Sequence, residues 1–211
     1  MANIHILANS RKLSGYCVAG KDVATNKWVR LVGDKNGAEL DLNGIAFTDF
    51  AGIKHKIPYE PFNRIIQINL GSQVPLNYQP ENVLINNSPW QEVQVAKSNI
   101  SCDDPDDLWG TGDRIKASDI NECRINIAQS LYLIEVTDLR FYTNDYNANR
   151  AYFCYKNNEY NLGVTINPSA FNDIVSEKRE HNNILTISLA GPFLNKYSNQ
   201  LEHYKLVAAV F

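Results

Sequence analysis

The sequence predicts a mainly β protein with short helices, built as two small β-barrels in tandem. Three observations carry that reading. Apolar residues alternate with polar ones over short runs, as in Leu185-Thr186-Ile187-Ser188-Leu189, the two-residue period of a half-buried strand. Glycine, proline and asparagine clusters interrupt these runs, as turns between strands require. The two halves also share a layout of four or five short strands, one helical insertion and many turns, the make-up of a small barrel.

In chain order, Ile4, Ile6 and Ala8 alternate along a first strand that leads into a polar elbow, Asn9-Ser10-Arg11-Lys12. A hairpin follows: residues 15–23, a turn at Thr25-Asn26-Lys27, and a return through Trp28–Val32, with Trp28, Arg30 and Val32 on one face. Residues 33–63 carry Gly33, Gly37, Gly44, Gly52, Pro58 and Pro61, which prevent any long element. Residues 64–70 form the next strand, and Pro80 suits the start of a helical turn before Val83-Leu84-Ile85. Pro89 and Trp90 close an N-terminal barrel of residues 1–90. Residues 91–129 read as a connector with two short helical turns, one after the acidic run 103–107 and one from Ser118. Residues 130–211 form the C-terminal barrel. Its strands lie at 131–138, 150–155, 160–165, 185–189 and 205–211, with an Asn-rich hairpin turn at 156–159 and an amphipathic helix at 169–178.

At 211 residues, 44% hydrophobic and 20% charged, the chain can bury a real core. Its net charge of −3 argues against a protein that tracks long duplex DNA, which needs a basic stripe. Any nucleic-acid contact is therefore local, short, or made partly by stacking. No apolar run approaches the roughly 18 residues that span a membrane, and no signal peptide is visible, so a cytoplasmic location is expected. The widely spaced cysteines Cys17, Cys102, Cys123 and Cys154 are expected as thiols. His5, His55, His181 and His203 have no metal-ligand spacing, and neither a phosphate loop nor a nucleophile elbow occurs. No metal, cofactor or catalytic constellation is expected.

Candidate binding residues fall in three groups. Arg11, Lys12 and Arg30, with Asn9 and Ser10, have the chemistry of an anion pocket; they equally suit a capped turn with solvated cations. Trp28 can stack a base or sit at the barrel core or rim. Tyr78, Gln79, Glu81 and Asn82 can line a pocket, since their amides can read base edges, or plug a barrel end. A second stacking face is offered by Arg150, Tyr152, Tyr155 and Tyr160, but alternation puts Tyr152 with Arg150 and Tyr155 opposite. The acidic residues 103–107 read better as a solvated loop than as a two-metal site.

Four stretches carry a family resemblance. They are Leu7-Ala8-Asn9-Ser10-Arg11-Lys12 with Gly15-Tyr16-Cys17-Val18-Ala19-Gly20 and Trp28-Val29-Arg30; Tyr78-Gln79-Pro80-Glu81-Asn82; Ser130-Leu131-Tyr132-Leu133-Ile134; and 185–189 with Tyr204-Lys205-Leu206-Val207-Ala208-Ala209. Together they resemble the bacterial and phage dual OB-containing domain family over nearly the whole chain. The resemblance implies two tandem OB-like barrels and an association with prokaryotic defence or counter-defence. The expected function is a non-enzymatic module that binds a nucleic-acid end or short single strand through the N-terminal elbow and hairpin. A binder of a small cyclic or modified nucleotide, and a module that docks a defence-system protein, stand as alternatives.

Overall fold

The computed structural model describes residues 1–12, 15–41, 44–57, 64–86, 89–95, 101–176 and 183–211, with the backbone alone at Arg11, Lys12, Gln94 and Val95. The chain forms two compact units. The first is Met1–Leu76 with Pro80–Ser101, the second Asn77–Gln79 with Cys102–Phe211.

In the first unit, β1 (Ala2–Lys12), β2 (Gly15–Asp22) and β3 (Trp28–Val32) form an antiparallel meander. β3 then pairs in parallel with β8 (Asn82–Ile85). The circuit closes through β6 (Arg64–Ile68) and β7 (Leu70–Gln73), two parts of one bent run: β7 pairs with β8 and β6 pairs with β1. Ile4, Ile6, Val18, Val29, Leu31, Ile66, Ile68 and Val83 fill its interior. β9 (Trp90–Val95) extends the sheet from β6, and the short ribbon of β4 (Ala46–Thr48) and β5 (Lys54–Lys56) lies beyond it. β1 and β2 come unusually close where the register shifts between Ile6 and Ala8. A Cβ at Gly20 would stand 2.1 Å from the His5 carbonyl oxygen, so only glycine fits there.

The second unit repeats the circuit. β11 (Leu131–Glu135) and β12 (Thr137–Thr143) are one bent run across Val136; β12 pairs with β13 (Asn149–Tyr155), and β13 with β14 (Asn158–Val164). β14 runs parallel to β16 (Gln200–Val210), which pairs with β15 (Ile184–Asn195), and β15 closes onto β11. Lys156 and Asn157 both have positive φ, as a two-residue hairpin turn demands. Between β14 and β15 lies α2 (Pro168–Val175), with Pro168 in its first turn and the Asn167 side chain accepting the Ser169 N–H at 2.8 Å. Its buried face is Ala170, Phe171 and Ile174. The parallel third-to-fifth pairing inside a five-stranded closed circuit is the OB arrangement, and here it occurs twice.

Several local expectations are corrected. The polar residues 9–12 form no elbow: β1 runs straight through them, with Arg11 opposite Tyr16 and Lys12 opposite Gly15. Pro80 sits in a turn, not a helix, and residues 106–113 form bends. Within 91–129, β9 belongs to the first sheet, β10 (Arg114–Lys116) pairs with β16, and α1 (Ala117–Asn121) follows it. Leu108, Trp109, Ile115, Ile120 and Ile127 lie in the core of the second unit. Residues 177 and 178 of the expected helix lie outside the described residues, as does His181.

Candidate nucleic-acid interface

Most of the N-terminal candidate residues are engaged in internal contacts. All five residues of β3 are buried, so this strand is covered on both faces. Trp28 is 6% exposed, with the Lys21 ammonium 5.5 Å from its ring centre. Arg30, also 6% exposed, donates from Nε to Glu81 Oε1 at 3.3 Å. Asn82 faces Arg30 across the parallel pair and is fully buried. Asn9 donates from Nδ2 to the Ile57 carbonyl at 3.0 Å, away from that group, and Ser10 is half-buried. The side chains of Arg11 and Lys12 lie outside the described residues. Tyr78 and Gln79 belong to the second unit: Tyr78 packs on His203 at 4.8 Å, and Gln79 donates to the Leu189 carbonyl at 3.1 Å. The structure thus brings Trp28, Arg30, Glu81 and Asn82 together as buried neighbours, not as an open site.

The second unit presents a different surface. Alternation along β13 and β14 sends Ala151, Phe153, Tyr155, Tyr160 and Leu162 into the core and Arg150, Tyr152 and Asn161 to the other face. Register then places Arg140 opposite Tyr152 and Asn161 beyond it; one rung along, Tyr142 stands opposite Arg150, with Gly163 beyond. Arginine and tyrosine therefore alternate as a checkerboard on β12 and β13, with rungs about 7 Å apart. Arg150 is held flat by Nε donating to Asn161 Oδ1 at 3.1 Å and by Nη2 donating to the Asn161 carbonyl and, at 3.4 Å, to Asp113. The Tyr142 hydroxyl bonds Asn161 Oδ1 at 2.9 Å. Arg140 is exposed and makes no ion pair among the described residues. Partial burial, then Glu159 alongside, push the Tyr152 hydroxyl up to about 12, so it stays neutral.

The loops beside this face use one device twice. The Asn144 side chain accepts the N–H groups of Tyr146 and Ala148, at 3.1 and 2.9 Å, and turns Tyr146 outward, 90% exposed. The Asn195 side chain accepts the Tyr197 N–H at 2.9 Å and leaves Tyr197 fully exposed. These are the loops between the first and second and the fourth and fifth barrel strands, which border the ligand face of an OB barrel. Arg140, Tyr142, Tyr146, Asn161 and Tyr197 were missed as site residues; only the β13 alternation, which pairs Arg150 with Tyr152, pointed here.

Beneath the face lies a buried lysine. Lys205 Nζ donates to the carbonyls of Gly110 and Thr111 at 2.6 and 3.3 Å, inside a turn where Trp109, Gly110 and Gly112 have positive φ. Burial pushes its ammonium down to about 8 from 10.5, against the opposing pull of Asp107 and Asp113. Between those values the unfolded chain holds a proton that the folded chain has released, so stability must rise with pH. Thermal midpoints measured from pH 8 to 9.5 should climb, and Lys205→Met should flatten that climb. The window ends near pH 10, where unfolded tyrosines ionise but Tyr155 and Tyr160, raised by burial, do not.

The acidic run has structural partners: Asp103 accepts the Leu133 N–H at 2.8 Å, Asp107 accepts the Gly110 N–H at 3.0 Å, and Asp104 pairs with Lys156 at 2.7 Å. Among the described residues no group of three histidine, cysteine or carboxylate side chains could hold a metal ion. The four cysteines form no disulfide. No helix of the described residues is long and apolar enough to cross a membrane.

Twice-closed circuits of this topology, one with an arginine–tyrosine face, define an OB-fold binding module. The chain belongs to the dual OB-containing domain family, whose model matches residues 2–210. No curated protein and no solved structure matches it.

Proposed function

We propose that this chain is a non-enzymatic module that binds short single-stranded nucleic acid or a strand end on the β12–β13–β14 face of its second unit. The carrying observation is the checkerboard of Arg140, Tyr142, Arg150 and Tyr152 on the first and second barrel strands, beside the strand 2–3 face and the loops that OB barrels use for oligonucleotides. Its rung spacing matches successive unstacked bases on two tyrosines, with guanidinium groups beside the phosphates. Tyr146 and Tyr197 then extend the stack at either loop. The family resemblance supports a setting in prokaryotic defence or counter-defence. The module is taken to comprise two OB domains, the second beginning near Cys102. The N-terminal set contributes through Arg11 and Lys12 at most, since Trp28 and Arg30 are covered.

Fluorescence anisotropy with labelled oligonucleotides of graded length, at two salt concentrations, tests this. A strand touching two or three phosphates should give a logarithmic salt slope of about −1.4 to −2. Mononucleotides should compete poorly. Equal competition by mononucleotides and a flat salt response would sink the strand reading.

A further inference from the structure

We propose that the first unit carries a second, independent ligand site, a cleft that takes a guanine nucleotide. The cleft measures about 670 Å³, the size of pockets that hold a small organic ligand. One wall is the segment between β3 and β6, the same place in the circuit where the second unit carries α2, and the other is Ile85, Asn86, Pro89 and Trp90. Its floor is apolar, with Leu40, Phe47 and Trp90 almost wholly buried. Its polar groups are of opposite sign and come from different elements. Glu39 and Asp41 flank Leu40, which is bridged to Tyr16, and Lys54 stands on β5.

The Asp41 carboxylate and the Lys54 ammonium together select an amphoteric ligand. Asp41 Oδ1 accepts the Gly44 N–H at 2.6 Å, which fixes the carboxylate; Oδ2 and the second lone pair of Oδ1 are left to accept from a ligand. Guanine presents two adjacent donors, N1–H and the N2 amino group, that match the two oxygens of a carboxylate. Adenine sets an acceptor nitrogen beside its amino group, and uracil offers a single donor flanked by carbonyls; a carboxylate only accepts. Lys54 is exposed and makes no ion pair among the described residues, so its ammonium is available to a phosphate. A nucleotide bridges the two charges, whereas a free base or a free phosphate meets only one.

Calorimetric titration of the full chain with GMP, AMP, UMP and inorganic phosphate tests this. GMP should bind at least about tenfold more tightly than AMP or UMP, the discrimination expected of one bidentate base contact. Asp41→Asn keeps an oxygen for the Gly44 N–H but turns the other acceptor into a donor, so it should erase the preference for GMP. Lys54→Gln, at an exposed position, should weaken all three nucleotides and inorganic phosphate together. Tyr152→Ala should leave GMP binding unchanged, which separates this site from the strand-binding face. Equal binding of all three nucleotides, no GMP binding at millimolar concentration, or GMP binding unaltered in both cleft variants would overturn the proposal.

Discussion

Replacing Tyr142 and Tyr152 together by alanine should weaken single-strand binding by about a hundredfold or more, since each base–aromatic stack contributes roughly ten- to a hundredfold. Both rings lie on the outer face of the sheet, so the core of Phe153, Tyr155 and Tyr160 is untouched. Tyr142→Phe is the informative control. It keeps the ring but removes the hydroxyl bonded to Asn161, the residue that also holds Arg150. A small loss in that variant and a large one in the double alanine variant would assign the energy to stacking. Arg140→Ala should lower the salt slope by about 0.7, one phosphate contact to a single strand. If the double variant binds every oligonucleotide like the parent, the face is ordinary cross-strand pairing and the strand reading fails.

The contrast between the two units shows how far a sequence can be read. Alternation along 149–164 placed Arg150 and Tyr152 on one face because β13 has one face in the core and one open. Arg140 and Tyr142 escaped notice since their neighbours are set by register, and β12 shifts register between Thr137 and Arg140. Alternation also put Trp28 and Arg30 together on β3, correctly. It says nothing of whether that face is covered, and β3 is buried at every position. The motif 78–82 divides between two units at Pro80, which no periodicity reports. The 91–129 stretch read as a connector because its apolar residues are sparse and irregularly spaced. Leu108, Trp109 and Ile115 nonetheless reach the core, on a path whose bends rest on positive-φ positions. The helix was readable at 169–178 from its apolar face alone; its start at Pro168, behind the Asn167 cap, is a local signal that the apolar spacing does not carry.

Removing the Glu81 carboxylate should cost about 3–5 kcal/mol of stability, the loss typical of breaking one side of a buried ion pair. The two side chains are each about 7% exposed, so water cannot replace the partner. The pair is also tied through the backbone, where the Arg30 N–H donates to the Glu81 carbonyl at 3.0 Å. That bond survives substitution, so the loss isolates the side chains. Urea denaturation should show Glu81→Ala and Arg30→Met each strongly destabilised, because each leaves one charge buried without the other. The double variant Arg30→Met with Glu81→Leu should recover much of the loss, since apolar groups of similar volume need no counter-charge. Arg30→Lys should be destabilising too, since the carboxylate is met by the guanidinium Nε and an ammonium lacks that geometry. The opposite pattern, an unchanged midpoint in Glu81→Ala with weakened nucleic-acid binding, would make Arg30 and Glu81 ligand contacts and return the N-terminal hairpin to the binding site.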